Sequence, residues 1–564
     1  MNRRVRRPLL LSALAGCALL PALQAPAQQG AAPTLDAAVE QIKDEGLKRS
    51  QVMKIAGYLT DVIGPRLTAS PGCKKANEWT RDTMAGWGMK NAALESWGEF
   101  GRGWTLKSFS MQVTSPQTIP LIAYPKAWTA PTKGSITAPV VYLDIKTEAD
   151  FEKYKDKLKG AIVLTSAPRE VKAHFEPRAT RATDAELLNL ANADGSRGGR
   201  RRGNFQPNPD QRTQFMLAAR KARFIHDEAA AVVLEPSRAG DDPTRPTDGG
   251  TLFVQSATVP PTGDPNANPL AQQGGRRSSP WDKDAVAGPT QIVVSAEHYN
   301  RMVRMIEQGQ ELKIQVQVDA EFNSDDTKGY NTVAEIPGTD LSGEVVMLGA
   351  HLDSWHGATG ATDNAAGCAA MMEAARILQT LKLQPRRTIR VALWTGEEQG
   401  LLGSRGYVTQ HFGTGGGGGR FGGGGGGAPA PLMLKPEHAK ISAYYNLDNG
   451  SGKIRGVYLQ GNEACRPIFR SWLAPFRDLG ASTLASISVG GTDHGSFDTL
   501  GIPAFQFIQD ELEYGTRTHH SNQDLFDRLQ ADDLKQASTL IAAFAYQTAM
   551  RDEKLPRKAM PAGR

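Results

Sequence analysis

Five side chains of metal-binding types are spread over the carboxyl-terminal half of this chain. They are His351, Asp363, Glu398, Asp448 and His520. Four of the five lie at or just beyond the end of an apolar, strand-like run. Ligand sites in open α/β sheets form outside the carboxyl ends of strands, where loops from several strands meet. The pattern therefore predicts one metal centre assembled from distant parts of the chain.

Three of these runs are explicit in the sequence, at residues 344–350, 388–395 and 441–447. Each is short, rich in β-branched or aromatic residues, and followed by polar groups, as is typical of a buried strand. Residues 364–381, between the first two runs, are rich in Ala and Met and predict a crossover helix with Asp363 at its N-cap. Strand, helix and strand in this order indicate a parallel sheet in an α/β fold.

The five side chains are a nitrogen and oxygen ligand set without cysteine. Such a set suits zinc, and it can hold two ions if one carboxylate bridges them. Two ions about 3.5 to 4 Å apart can clamp an attacking hydroxide and polarise a carbonyl group. Glu397 directly precedes Glu398, and neighbouring residues beyond a strand end can point in different directions. One carboxylate can then bind metal while the other acts as a general base.

Each candidate also has a structural alternative. Glu397 and Glu398 could form a solvated first helical turn, although a strand precedes them and Gly396 and Gly400 flank them. Asp363 could be a plain N-cap, Asp448 a turn aspartate, and His351 a hydrogen-bonded residue at a sheet edge. His519 competes with His520, which we favour for its spacing to Asp524. The joint occurrence of all five favours the metal centre.

Length and composition predict a globular protein of two or three domains. The chain has 564 residues, of which 40% are hydrophobic and 22% charged. Residues 35–114 contain helix-like stretches and are assigned to the first segment of a catalytic domain. Residues 115–321 show short β-like runs between long polar loops, which indicates an inserted, smaller β-rich domain. Strand and helix alternation over residues 322–556 then predicts the second segment of the catalytic domain, which includes a helix at about 531–550.

The first 27 residues have the pattern of a secretory signal. Four arginines precede an apolar stretch at residues 8–20, and Ala25-Pro26-Ala27 follows it. The stretch is too short to span a membrane. An alternative is a lipoprotein signal, since Leu14-Ala15-Gly16-Cys17 resembles a lipobox and would give a lipid anchor at Cys17. Both interpretations predict export, to the periplasm, to the medium or to a membrane surface.

Several other classes of protein are disfavoured. Removing residues 1–27 takes away four of the positive charges, which lowers the formal charge from +6 to +2. The glycine and arginine tracts at residues 197–203 and 415–427 have little aromatic interleaving, since Phe421 is the one aromatic residue in them, so we expect surface loops there and no nucleic-acid partner. The sequence contains neither the G-x-S-x-G elbow of many serine hydrolases nor an H-E-x-x-H helix. Three cysteines beyond the signal are too few for a disulfide framework.

Six short motifs lie in the same order as in one known family. They are His351-Leu-Asp353-Ser-Trp355, Thr362-Asp363-Asn364-Ala-Ala-Gly367, Thr395-Gly-Glu397-Glu398-Gln-Gly400, Asn446-Leu-Asp448, Thr492-Asp493-His494 and His520-Ser-Asn-Gln-Asp524. Together they resemble the zinc-dependent exopeptidases that include bacterial secreted aminopeptidases and glutamate carboxypeptidases. The pattern around His351 and His519 is most similar to the plasma glutamate carboxypeptidase branch.

The resemblance implies the family's di-zinc fold, an α/β fold with a mixed, mainly parallel sheet flanked by helices. Residues 115–321 would correspond to the protease-associated domain that some members carry. The resemblance makes Asp363 the bridging carboxylate between two zinc ions. His351 and Asp448 would bind one ion, and Glu398 and His520 the other.

The resemblance also assigns residues around the metals. Glu397 becomes the base that takes a proton from a zinc-bridging water and passes it to the leaving amine. Asp353 would orient the imidazole of His351. His519 stands where some members place a tyrosine that holds the tetrahedral intermediate.

Three further residues are candidates for substrate contacts. Asp493 and His494 match a family loop near the substrate. Arg517, shortly before His520, could pair with a substrate carboxylate. The expected activity is hydrolysis of a terminal peptide bond in a peptide or dipeptide. Alternatives within the same fold are a glutaminyl cyclase with one zinc ion and a binding ectodomain without catalysis.

Overall fold

The structure is a computed structural model that describes residues 33–193, 209–238, 249–261, 278–415 and 432–559. The predicted signal segment with Cys17, the arginine-rich tract at 197–203 and the glycine tract from residue 416 onward lie outside the described residues. No helix within the described ranges combines the length and the apolar character needed to cross a bilayer.

Strands are numbered here in chain order. They are β1 Lys90–Glu99, β2 Gly103–Ser115, β3 Ile119–Pro120, β4 Ala123–Pro125, β5 Ile136–Tyr142, β6 Ile162–Leu164, β7 Val232–Pro236, β8 Thr290–Val294, β9 Lys313–Asn323, β10 Lys328–Ile336, β11 Leu341–His351, β12 Arg387–Trp394, β13 Gly413–Thr414, β14 Met433–Leu434, β15 Ile441–Asn446, β16 Ile454–Tyr458, β17 Thr483–Ala485 and β18 Ala504–Gln509.

Helices are numbered in the same way. They are α1 Leu35–Lys48, α2 Val52–Gly57, α3 Pro71–Gly86, α4 Asp184–Asn192, α5 Pro209–Asp227, α6 Ala296–Glu307, α7 Ala366–Thr380, α8 Leu402–His411, α9 Arg466–Leu473, α10 His494–Asp498 and α11 Ala531–Met550.

The first sheet has the order β1-β10-β12-β11-β15-β18-β16-β17. Its centre is parallel, because β11 pairs in parallel with both β12 and β15, and β15 pairs in parallel with β18. The β1–β10, β10–β12 and β16–β18 pairs are antiparallel. The three predicted strand runs are the central strands β12, β11 and β15. The predicted α/β fold with a mixed sheet and flanking helices is confirmed.

Helices cover both faces of this sheet. Along β11, Val346, Leu348 and Ala350 are fully buried in a core shared with α7, α11 and α1, while Met347 belongs to a core on the opposite face with residues of α8 and α10. Successive side chains of a strand point to opposite faces. A near-continuous apolar run is therefore what a strand covered on both faces requires.

A second sheet has the order β3-β2-β9-β5-β6-β7-β8-β4. The β-like runs predicted in this part of the sequence correspond to β5, β6, β7 and β8, which pair in parallel in this order. The second sheet already includes β2, which begins at Gly103, before the boundary predicted at residue 115. The division into a catalytic and an inserted domain stays a proposal.

The centre of the first sheet is tightly packed around Gly349. A Cβ there would lie 2.7 Å from Nε1 of Trp394 and against the hydroxyl of Tyr444. Because these side chains are fully buried and bonded to each other, we expect Gly349→Ala to lower the free energy of unfolding by about 1 to 3 kcal/mol. Urea denaturation measures the change.

Gly343 on the same strand is the matched control. A Cβ at this exposed position would meet no atom within 4 Å, so Gly343→Ala should change the unfolding free energy by less than about 0.5 kcal/mol. Equal changes in the unfolding free energy for the two substitutions would show that the close contacts at Gly349 do not exclude a methyl group.

Candidate metal centre

The candidate ligands converge at one edge of the first sheet. His351 ends β11, Glu398 follows β12, and Asp448 follows β15. These three strands are parallel neighbours, so their carboxyl ends lie side by side. Turns outside the sheet bring Asp363 and His520 to the same place. The predicted convergence is present in the structure.

Asp363 stands between the two histidines. Its Oδ1 lies 3.1 Å from Nε2 of His351, and its Oδ2 lies 3.2 Å from Nε2 of His520. On one side, Oδ1 of Asp448 is 3.2 Å from the same nitrogen of His351. On the other side, Oε2 of Glu398 is 2.9 Å from Nε2 of His520. The five side chains thus form two half-sites that share one carboxylate.

This cluster lacks enough protons to satisfy its own acceptors. Nε2 of His351 faces two carboxylates, as does Nε2 of His520, and each nitrogen can carry one proton at most. Oε1 of Glu398 is buried and accepts no hydrogen bond from the described residues. Buried carboxylates in such a group need a cation. The nitrogen and oxygen donors fit zinc.

The pKa values reflect the same competition between burial and neighbouring charges. Burial alone would lower the pKa of His351, but Asp448 and Glu397 outweigh it and raise that pKa well above the usual value. Burial favours the neutral form of Asp363, yet hydrogen bonds from His351 and His520 hold its pKa well below the usual value. For Glu398, burial dominates and raises the pKa to about 7. The neighbouring carboxylates therefore favour the charged form of His351, while burial opposes the charged form of Glu398.

The predicted N-cap role of Asp363 is wrong. The N-cap of α7 is Ala365, and Asp363 lies in the preceding turn, Ala361–Ala365, with a non-helical backbone at φ −132° and ψ 84°. An N-cap side chain folds back onto the amides of its own helix. The turn instead leaves the carboxylate of Asp363 directed at the two histidines.

Asp524 holds the turn that carries Asp363. Its Oδ1 accepts hydrogen bonds from the amide and the hydroxyl of Thr362, at 2.7 and 2.8 Å, and its Oδ2 accepts one from the amide of Asp363 at 3.1 Å. Burial and the charge of Asp363 raise the pKa of Asp524 to about 7. Asp524 closes the motif that starts at His520, but the motif alone predicted no role for this residue.

Asp353 lies beside the imidazole of His351 and beside the turn that carries Glu397 and Glu398. Nδ1 of His351 lies 3.0 Å from the main-chain carbonyl of Asp353 and 3.7 Å from its carboxylate. That carboxylate accepts hydrogen bonds from the Thr68 hydroxyl at 2.9 Å and from the amides of Glu397 and Glu398, both at 3.3 Å. Asp353 therefore holds the turn with the two glutamates, and its backbone carbonyl contacts the imidazole. The predicted role of its carboxylate in orienting His351 stays a proposal.

Glu397 lies beside the His351 half-site. Burial is the largest influence on its carboxyl group, and together with the charges of Asp448 and Asp493 it raises the pKa well above the usual value. A carboxylate with raised basicity is the type of group that accepts a proton in general base catalysis. Its assignment as the base stays a proposal.

The candidates for substrate contacts differ in their burial and in their contacts. His519 lies beside the centre, with Nε2 3.8 Å from Oδ2 of Asp363 and its ring 3.7 Å from that of His520. Asp493 is fully buried, and burial raises its pKa to about 7. His494 is also fully buried, with Nε2 2.9 Å from the carbonyl of Val489. The guanidinium of Arg517 pairs with Glu513 at 3.4 Å.

Arg66 is a supporting residue that the sequence analysis did not single out. Its side chain is fully buried and donates to the carbonyls of Leu352, Thr359 and Gly360 at 2.7, 2.7 and 2.9 Å. These carbonyls belong to the loop between His351 and Asp363. The segment Gly64-Pro65-Arg66-Leu67 does not mark this arginine as buried, because its partners are distant in sequence.

The comparison with known families agrees with this geometry. The sequence profile of Peptidase family M28 matches residues 331–545. This segment is similar to peptidase family M28. The M28 segment contains all five candidate ligands and Glu397, and the family predicted from the motifs is confirmed.

Carboxypeptidase Q of Mus musculus is 29% identical to this chain over 275 residues, which are 49% of this chain and 53% of that protein. This relative agrees with the predicted likeness to the plasma glutamate carboxypeptidase branch. The chain spans about half the length of the curated relatives it matches.

Two solved structures show the likeness in fold. A peptidase M28 precursor from Shewanella amazonensis SB2B is 21% identical with a TM-score of 0.61, and the match covers 94% of this chain and 100% of that one. BSAP, a zinc aminopeptidase from Bacillus subtilis, is 17% identical with a TM-score of 0.50, and the match covers 89% and 95%. Both matches extend beyond the M28 segment, so the similarity in fold is not confined to that segment.

The contacts of Asp524 predict that it controls metal binding. In Asp524→Asn, the side-chain amide nitrogen must face the backbone N–H of Thr362 or that of Asp363, because each oxygen of Asp524 accepts from one of them, and this should displace the turn that carries Asp363. We expect zinc affinity to fall about tenfold or more, as measured by competition with a chelating dye. Asp527→Asn, at an exposed position nearby, is the control and should bind zinc like the unaltered protein. Equal affinities for both variants would contradict the supporting role.

Proposed function

We propose that this protein is an exported, zinc-dependent exopeptidase that hydrolyses a terminal peptide bond of peptides or dipeptides. The observation that carries the proposal is the position of Asp363, whose two oxygens face His351 and His520 at 3.1 and 3.2 Å. A carboxylate shared in this way can bind two neighbouring metal ions at once. The M28 segment supports the class of reaction.

His351 and Asp448 would hold one zinc ion, Glu398 and His520 would hold the other, and Asp363 would bind both. Bound zinc supplies Lewis acidity, which polarises the scissile carbonyl and makes water a stronger acid. Two complete half-sites favour this arrangement over a glutaminyl cyclase with one ion. They also argue against a binding ectodomain that has lost its ligands.

Glu397 would move the proton during hydrolysis. Its carboxylate takes a proton from the attacking water as the water oxygen bonds to the carbonyl carbon. The same carboxyl group then donates that proton to the amide nitrogen, and the carbon–nitrogen bond breaks to release an amine and a carboxylic acid. Asp353 keeps Glu397 in place through its hydrogen bond to the Glu397 amide at 3.3 Å.

His519 would stabilise the oxyanion that forms on the carbonyl oxygen. Its imidazole borders the shared carboxylate at 3.8 Å, and a hydrogen-bond donor in this position acts where charge develops. The relatives are named both for carboxypeptidase and for aminopeptidase activity. The proposal therefore covers either chain end of the substrate. The amino-terminal signal pattern supports export, with lipid attachment at Cys17 as the alternative to cleavage near residue 27.

Metal analysis and turnover test the proposal directly. We expect about two zinc ions per chain, and release of single amino acids from a panel of free, N-blocked and C-blocked dipeptides that stops on chelation and returns with zinc. The blocked substrates identify the chain end that is recognised. One zinc ion with cyclisation of N-terminal Gln would indicate a cyclase, and a folded protein with neither zinc nor turnover would indicate a binding ectodomain.

Substitution of Glu397 tests the proton-transfer step separately. Glu397→Gln keeps the size of the side chain but removes its basicity, so kcat should fall about 10² to 10⁴-fold while the zinc content stays unchanged. Glu553→Gln makes the same change at an exposed position and should leave kcat as it is. Full activity of Glu397→Gln with zinc bound would refute the assignment of the base.

A further inference from the structure

We propose that Gln255, beside the second sheet, is a positioning residue that controls how His520 presents its nitrogen to zinc. The inference rests on the proposed function, because it takes His520 as a zinc ligand. Gln255 lies 265 positions before His520 in the sequence, yet its Nε2 is 3.2 Å from Nδ1 of His520. This contact therefore connects the second sheet to the metal centre.

The segment that carries Gln255 is fixed on two sides. On one side, the amide of Val254 donates to the carbonyl of His520 at 3.1 Å, and the amide of Asn522 donates to the carbonyl of Leu252 at 3.0 Å. On the other side, the amide of Ala127 donates to the carbonyl of Gln255 at 3.0 Å. Backbone hydrogen bonds thus hold the segment of Gln255 beside the turn of His520.

The orientation of that amide is set by Arg238. A guanidinium nitrogen of Arg238 donates to Oε1 of Gln255 at 2.8 Å, and the guanidinium also lies over the Phe253 ring at 4.9 Å. Arginine has donors only, so Oε1 faces Arg238 and the amide nitrogen faces His520. In this orientation the amide nitrogen donates to Nδ1 of a neutral His520 ring, whose single proton then lies on Nε2, towards Asp363 and Glu398.

Zinc binding requires the opposite arrangement of the imidazole. A histidine that binds metal through Nε2 carries its proton on Nδ1 and donates it to an acceptor. Gln255 can become this acceptor only if its amide turns over and gives up the bond from Arg238. Because Arg238 is exposed, water can replace that bond. The amide of Gln255 thus has two states, one for each tautomer of His520.

Zinc affinity should therefore respond in opposite directions to two substitutions. Gln255→Met leaves the proton on Nδ1 without an acceptor, and we expect about tenfold weaker zinc binding. Gln255→Glu supplies an acceptor in either orientation and keeps the pairing with Arg238, so zinc should bind about tenfold more tightly. A purely structural role of Gln255 in packing would weaken binding in both variants.

Gln523 provides matched controls on the loop that carries His520. The structure gives its side chain no hydrogen bond to any described residue, so Gln523→Met should leave zinc affinity unchanged. Gln523→Glu adds the same negative charge as Gln255→Glu, so it measures how much an added charge near the site strengthens zinc binding without a hydrogen bond to His520. The experiment is competition with a chelating dye on the full chain, accompanied by nitrogen NMR of the histidine rings with and without zinc.

The outcomes separate this inference from the proposed function. Weaker binding in Gln255→Met and tighter binding in Gln255→Glu than in Gln523→Glu would support it, as would a change of the His520 tautomer on zinc addition. If the unaltered protein binds zinc and hydrolyses peptides but the Gln255 variants bind zinc with unchanged affinity, the positioning role alone is refuted. If the unaltered protein neither binds zinc nor hydrolyses peptides, both proposals fail.

Discussion

The shared carboxylate of Asp363 imposes the constraint on which the rest of the centre depends. One buried group faces two histidines, and Asp448 and Glu398 face the same histidines from the outer sides. Three carboxylates in such a small, buried space repel each other unless positive charge compensates them. The fold must therefore hold groups together that would separate in a flexible chain, and this requires support from many parts of the sequence.

Two further aspartates give that support in a similar way. Asp524 accepts hydrogen bonds from the amides of Thr362 and Asp363, and Asp353 accepts them from the amides of Glu397 and Glu398. In both cases a carboxylate fixes the backbone of a turn, and the turn then aims another carboxylate at the histidines. Backbone amides are suitable anchors because their positions have less freedom than side chains. The cost is additional buried negative charge, which the burial-raised pKa of Asp524 reflects.

The sequence predicted the strands and the ligand set because both depend on local information. The apolar runs before His351 and Asp448 read as buried strands, and parallel strands must bring the following residues together. The predicted N-cap at Asp363 was wrong because the sequence does not show whether an aspartate before a helix bonds to the helix amides or points to another group. Other contacts join segments that are distant in the sequence, and local patterns carry no information about such partners. They include the contacts of the Asp353 carboxylate, of the buried Arg66 guanidinium, and of Gln255 with His520.

The two half-sites differ in how they are built. His351 ends a central strand and has a side chain only 1% exposed, whereas His520 lies in a turn with a positive φ of 58° and has a side chain 12% exposed. A positive φ is uncommon for a residue with a side chain and requires support from its surroundings. The segment beside the second sheet gives this support through Val254 and Gln255. His351 is therefore positioned by a strand of the first sheet, while His520 is positioned by contacts from a segment beside the second sheet.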